Sequence, residues 1–433
     1  LGIGGVRRLR ALNIEPAVVH MNEGHCAFAV LELWREGIAA GLSEEAALVA
    51  ARETCVFTTH TPVPAGHDRF GWELVNGALG GMREEMGLAE GAFMDMGRVV
   101  PGRIDETFCM TVLALRGSRS ANGVSELHGQ VSREMWTDLW PKLPVDKVPI
   151  AHVTNGVHVP SWIHPRVALL LDRVAPRWRE GKAISLAEVS DHELWTRRCD
   201  LRYELVGYAR RRTAHKTLIS QALCLGFARR FAPYKRGNLL FSDPDRLARL
   251  LFRHPIQLFF AGKSHPRDEA GQAIIREVLR WTRDERFRGR VVFLPDYDME
   301  LGRRLTQGVD IWLNLPRRPR EASGTSGMKV PLNLGVNVSV LDGWWPEAFN
   351  GDNGFAVGEP IDYDNTDEQD AADAESLFRI LEDQVVPEYF DRDAHGVPRE
   401  WVKRMRSSLE TCLQQFHTDR MVGEYASKFY APR

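Results

Sequence analysis

Residues 321–329 read EASGTSGMK: one acid, then small residues, two glycines and a methionine before a single lysine. Backbone N–H groups at a helix start form an anion site, and residues without bulk let a phosphate come close. Gly324, Thr325, Ser326 and Gly327 fit such a cradle, with two hydroxyls adding donors. Arg229 and Arg230, in the run GFARRFAPYKR, offer planar forked donors that would help neutralise a doubly charged anion. Lys329 then falls within about a turn of that phosphate. Its amine has two readings. It could ligate the phosphate as in a P-loop, although no GxxxxGK[ST] occurs; Gly262–Lys263–Ser264 comes nearest, with Gln257 where the first glycine should be. Or it could form a Schiff base with a phosphate-bearing aldehyde, pyridoxal phosphate. Spacing leaves both open.

Such residues need strands that end beside them. Strand-like runs are AVVH (17–20), CVFTT (55–59), PIAHVT (149–154), ALCLGFA (222–228), IQLFFAG (256–262), RVVFLPD (290–296), VDIWLNL (309–315) and VSVLD (338–342). Helical stretches lie between them, such as 44–53 and 243–253, the latter with Asp243 at the N-cap and Pro244 at the first helical position. The alternation predicts an α/β fold built from doubly wound parallel βαβ units. Ligands bind at the carboxyl ends of such strands. Arg229, Arg230, Lys235 and Arg236 follow one strand; Lys263, Tyr297 and the 321–329 run follow three others; His60 and Asn155 follow two strands of the first half. At 433 residues, two domains are expected. The stretch from about 163 to 197 lacks a clear strand and carries prolines early, so we divide the chain into residues 1–165, a linker region 166–200, and residues 201–433 with C-terminal helices. A long amphipathic region is expected over roughly 199–218. The acidic segment 361–376 should open a helix that stops at Pro387.

A net charge of −2 argues against a nucleic-acid partner. Six scattered cysteines without a CxxC pair read as reduced thiols of a cytoplasmic protein. No apolar run approaches the ~20 residues of a membrane span. The opening LGIGGVRRLRAL is not a signal peptide, and the absence of an initiator Met leads us to expect a start further upstream.

With these residues in view, EASGTSGMK resembles the cofactor-lysine segment of the α-glucan phosphorylases, the glycogen, starch and maltodextrin phosphorylase family. The family's other stretches follow in its order: HMNEGH (20–25), FTTHTPVPAGHDRF (57–70), NGVSELHG (122–129), VTNGVHVPSW (153–162), GFARRFAPYKR (226–236), FAGKSHP (260–266) and LDGWWPEAFNGDNGFAVG (341–358). ARRFxxYKR and SVLDGWW resemble the bacterial and archaeal branch. The resemblance implies a GT-B-type fold, two Rossmann-like domains facing a cleft, with the first (glucan-side) domain incomplete here. It implies reversible phosphorolysis of α-1,4-glucan by inorganic phosphate to glucose 1-phosphate, and a family that commonly dimerises. Lys329 would carry pyridoxal 5'-phosphate, whose phosphate group is the working part. Arg229 and the amides of Gly324, Thr325 and Ser326 would bind that phosphate; Arg230 and Lys235 would hold substrate phosphate; Tyr297 and Trp162 would pack around the pyridine ring. His60, Asn155, Glu321, Ser323 and Gly324 would grip the hydroxyls of the transferred sugar. Glu321 is thus expected as a hydroxyl-binding group, not a general acid.

Three features depart from the family pattern. A glycine-rich loop of GLGxLAG type is absent upstream of HMNEGH, Leu334 stands where MKxxLNG has glycine, and Pro331 lies two residues beyond Lys329. They motivate a second reading, a catalytically incomplete glucan-binding fragment. A third, a nucleotide-sugar glucosyltransferase of the same fold, has no need of Lys329. Duller roles are expected elsewhere. His20, Glu23 and His25 lack metal-site spacing and read as packing, and His128 and His158 read as structural. Trp344–Trp345 could stack on sugar but fits a core, and Arg317, Arg318 and Arg320 read as a solvated loop.

Overall fold

Apolar runs form most of the strands, such as IQLFFA (Ile256–Ala261) and IWLN (Ile311–Asn314). The computed structural model describes residues 1–213 and 217–431. The chain divides into two compact units, Leu1–Thr154 with the tail from Gly423, and Asn155–Val422.

In the first unit β1 (Val19–Asn22), β2 (Cys55–Thr58), β5 (Ser120–Gly123) and β6 (Ile150–His152) form a parallel sheet in the order β1-β2-β5-β6. A two-stranded antiparallel ribbon, β3 (Arg69–Phe70) with β4 (Phe108–Cys109), stands apart. Val30, Leu31, Phe57, Phe93, Phe108 and Leu113 are among its buried core. The tail joins this unit through side chains: the Tyr430 hydroxyl lies 2.6 Å from His20 Nδ1, and Asn122 Nδ2 donates to the Tyr425 hydroxyl at 3.0 Å.

In the second unit β7 (Leu223–Ala228), β8 (Ile256–Ala261), β9 (Val291–Leu294), β10 (Ile311–Asn314), β11 (Val336–Val340) and β12 (Gly354–Val357) make a six-stranded parallel sheet. Its order is β12-β11-β10-β7-β8-β9. The chain therefore winds outward from β7 in one direction, then returns to β10 on the other side and winds the opposite way. The place where the two windings part, between the carboxyl ends of β7 and β10, is a topological switch point. Helix Pro244–Arg253 links β7 to β8, with the Asp243 side chain accepting from the Arg246 N–H as expected of its cap.

Three expectations change. Residues 166–200 are not a linker: Val167, Leu170, Trp178, Leu186 and Leu194 are buried in the core of the second unit, and the division falls at Thr154–Asn155 instead. An amphipathic helix packs wherever its apolar face finds a partner, whatever prolines precede it. The long helix spans Asp191–Thr213, earlier than the 199–218 expected; residues 214–216 of that expectation lie outside the described residues. Nor does Pro387 end its helix. Helix Thr366–Ile380 continues through a π-turn, Leu381–Val385, into Val386–Phe390, and this local widening just before Pro387 lets the chain run on past a residue without an N–H.

Candidate active site

β7 delivers Arg229 to the switch point and the neighbouring strand β10 ends there in Asn314. Arg229 Nη1 donates to Asn314 Oδ1, while its Nη2 lies 2.9 Å from Glu321 Oε2. Gly262 follows β8 with φ of +148°, and a Cβ there would meet the Arg229 carbonyl oxygen at 2.0 Å, so no larger residue could let these strand ends close up. Lys235 ends the short 3₁₀ turn Pro233–Lys235 and reaches both Glu321 oxygens, at 2.8 and 3.1 Å. Its ammonium also lies 4.7 Å from the centre of the Tyr234 ring.

Two cations thus enclose one buried carboxylate. Burial raises the Glu321 carboxyl, but Arg229 and Lys235 outweigh it and hold it below the ordinary carboxylate range. Burial, then repulsion from Arg229, brings the Lys235 ammonium down to about 8 despite Glu321. The cluster keeps a surplus of positive charge around a site shaped for an anion.

The segment carrying Glu321 is clasped by the loop after β11. Asp342 Oδ2 accepts from the Glu321 N–H at 2.9 Å and its Oδ1 from the Gly343 N–H at 2.8 Å. Trp344 N–H donates to the Ser323 carbonyl at 2.9 Å. Gly343, at φ +60°, is required, because a Cβ would lie 2.4 Å from that same carbonyl. Burial, and the charge of Glu321, push the Asp342 carboxyl up to about 8. Beyond the clasp, the amides of Gly324, Thr325 and Ser326 donate to nothing among the described residues. Buried and unpartnered beside them are Ser323 Oγ, Ser326 Oγ and Arg229 Nε. Unpartnered donors at this place are free to bind a ligand's oxygens.

Lys329 closes a single 3₁₀ turn, Gly327–Lys329, and Pro331 opens a second, Pro331–Asn333, where its lost N–H is harmless. The expected helix start is thus two short turns. Lys329 Nζ sits 3.7 Å from the centre of the Trp162 ring, with no ion pair among the described residues. Burial alone brings its amine down to about 8. At neutral pH that leaves roughly two orders of magnitude more free amine than an exposed lysine has. Tyr297, half-buried after β9, has its phenol raised by burial and opposed by nearby Arg229. An amine of lowered basicity, the unpartnered hydroxyls and amides, and Arg229 are the groups that a phosphate-bearing aldehyde requires.

Residues 7–349 match the family model for carbohydrate phosphorylase. The chain belongs to that family. Its relatives include a maltodextrin phosphorylase of Thermococcus litoralis, 40% identical over 100% of this chain and 53% of the relative. A glycogen phosphorylase of Mycobacterium tuberculosis is 41% identical, again over 100% of this chain and 53% of the relative. One from Aquifex aeolicus is 33% identical over 65% of its length. The chain spans about half the length of the first two.

This phosphorylase-family chain brings together, in its second unit, Arg229, Lys235, Tyr297, Glu321, Ser323 and the 324–326 amides, with Lys329 against Trp162. Arg230 is exposed, its charge directed to the Tyr234 hydroxyl. Asn155 is half-buried, its carbonyl accepting from Arg420 Nη2 at 3.2 Å. His60 belongs to the first unit, where Nε2 lies 2.6 Å from Asn22 Oδ1 and its N–H donates to Glu23 Oε2 at 2.8 Å. Asn314, Asp342 and Tyr234 were not singled out from the sequence; the first two end or follow strands, which was the available signal. Trp344 and Trp345 are buried, Trp344 edge-on to Phe416 at 4.7 Å, so they serve the core. The basic loop is not simply solvated: Arg317 bonds Asp370 and Arg318 the Leu341 carbonyl, leaving Arg320 exposed. Among the described residues no helix is long and apolar enough to cross a membrane.

Proposed function

We propose that this chain is the cofactor-bearing part of an α-1,4-glucan phosphorylase, which exchanges a terminal glucosyl unit reversibly between glucan and inorganic phosphate to form glucose 1-phosphate. The observation that carries the proposal is a carboxylate enclosed by Arg229 and Lys235 beside unpartnered hydroxyls, on the same segment as an amine of lowered basicity. Glu321 stands here where an anion of stronger charge would stand. In this reading Lys329 attaches pyridoxal phosphate; Arg229, Ser326 and the amides of Gly324, Thr325 and Ser326 bind its phosphate; Trp162 and Tyr297 flank its ring. When bound, that phosphate exchanges a proton with the substrate phosphate.

Arg230 and Lys235 hold the substrate phosphate, and the clustered cations let two phosphates approach each other. Breaking the glycosidic bond develops oxocarbenium-like charge and requires a proton at the leaving oxygen; the held phosphate supplies the proton and its charge faces the cation. Displaced from the cations, Glu321 is free to accept from sugar hydroxyls alongside Ser323 and the Gly324 amide. His60 and Asn155 complete the grip on the sugar. A GT-B arrangement of two domains, a cytoplasmic location and a homodimer belong to the same proposal. A nucleotide-sugar transferase is disfavoured because such chemistry gives an amine at 329 nothing to do.

The test is covalent attachment. Incubation with pyridoxal phosphate should give a new absorbance band, and borohydride should fix the cofactor to the peptide containing Lys329. Equal trapping on Lys329→Ala protein would sink the reading. Phosphate released from glucose 1-phosphate with a maltodextrin primer measures activity separately.

A further inference from the structure

Trp162 and Lys329 meet although 166 residues lie between them in the chain, so something must fix their separation. Asn333 is fully buried one turn beyond Lys329. Its Nδ2 donates to the Lys329 carbonyl at 3.0 Å and to the Trp162 carbonyl at 3.1 Å, while its Oδ1 accepts from the His164 N–H at 2.7 Å. Every hydrogen-bonding position of this amide except one oxygen lone pair is used to join two backbones. Gln307 Nε2 supplies a second, longer bond to the Trp162 carbonyl, at 3.3 Å. Both tethers are themselves held by one guanidinium: Nη1 of fully buried Arg198 donates to the Gln307 carbonyl at 2.9 Å and the Asn333 carbonyl at 2.8 Å. Arg198 Nε in turn lies 3.2 Å from Asp310 Oδ1.

We propose that Asn333 is a positioning residue, whose side-chain amide, braced by Arg198, ties the backbone of Lys329 to that of Trp162 and so sets where the amine stands against the indole. Its importance for catalysis rests on Lys329 being the cofactor lysine; its effect on the amine does not. Without the tether the Lys329 turn can swing from the ring into water, and an amine that gains water regains its proton affinity.

The experiment uses the whole chain without cofactor. Acylation of Lys329 by acetic anhydride is followed against pH, relative to exposed Lys142, with the sites read by mass spectrometry. Asn333→Leu keeps the volume and the neutral charge but loses all three side-chain bonds; Asn333→Ala loses them together with packing. Ser408→Ala, which removes the buried bond from Ser408 Oγ to the Gly335 carbonyl on the same loop, controls for lost stability. In the parent chain the midpoint should lie near 8. Either Asn333 variant should raise it by ~1 unit or more, toward the free-lysine value, and Ser408→Ala should leave it in place. Should the folded Asn333 variants keep the parent midpoint, or Ser408→Ala shift it equally, the inference is wrong. If Asn333→Ala does not fold, the isosteric Asn333→Leu decides. Attachment of pyridoxal phosphate separates the two claims. Failure in the parent condemns the cofactor reading, whereas attachment in parent and variants with one pH midpoint condemns the tether.

Discussion

The second unit buries two clusters of the same composition, each with two cations around one carboxylate, at opposite ends of β10. At the amino end, Asp310 lies with Arg198 and Arg202. There the charges are committed to the backbone: Arg198 to two carbonyls, Arg202 to the Ser220 carbonyl at 2.7 Å, and Asp310 to the Cys224 N–H at 2.9 Å. At the carboxyl end, Glu321 lies with Arg229 and Lys235, whose partners are side chains. Backbone partners cannot leave without unfolding something; side-chain partners can turn away for the cost of a rotamer. The first cluster is a rivet. The second is held by side chains alone, and in the proposed function its carboxylate gives way to another anion.

Replacing the central acid in each cluster should break this symmetry. Asp310→Ala strands two buried guanidiniums and should cost ~3–5 kcal/mol in urea unfolding, with no recovery in phosphate. Glu321→Gln should cost less, ~1–3 kcal/mol, because Lys235 can shed its proton, and millimolar phosphate should restore the melting temperature. Equal phosphate rescue of both would erase the distinction. A finer probe is Leu334, buried in the loop that Arg198 braces, with φ of +63°. Leu334→Gly relieves ~1–2 kcal/mol of left-handed strain but surrenders a larger apolar burial, for a net loss of ~1–2 kcal/mol.

The smallest effect concerns pH. Asp342, raised to about 8, contributes stability that is full below pH ~4 and is lost as pH climbs through 8. Lys235, lowered to about 8, acts in the opposite sense and only above that pH, where stability rises as the unfolded chain holds the proton longer. Asp342→Asn should therefore flatten the unfolding free energy between pH 4 and 8. An unchanged slope would mean that the clasp carboxyl is ionised throughout.

Five of the six strands of the second unit were legible because runs such as IQLFFA are buried on both faces and carry no competing period, whereas β12, Gly354–Val357, was not singled out. β5, sequence SANG, was not, since small polar residues signal turns until a neighbouring strand covers them. Leu334 shows the same limit from the other side. Its position calls for glycine-like backbone freedom, yet Leu occupies it because the core takes its side chain. Within the site, the strand-end rule reached Arg229, Lys235 and Lys329. It did not reveal that Glu321 pairs with the cations in the chain by itself.

The order of motifs and the types of residue at strand ends were determined by the sequence alone, because periodicity and polarity are local properties. Which charges became partners was decided only by the tertiary structure. Asp310 and Glu321 are both acids near β10, and nothing local distinguishes a carboxylate that meets backbone amides from one that meets only side chains. That difference depends on the desolvation and geometry imposed by segments remote in the chain, which is why one acid is bound to backbone amides and the other only to side chains.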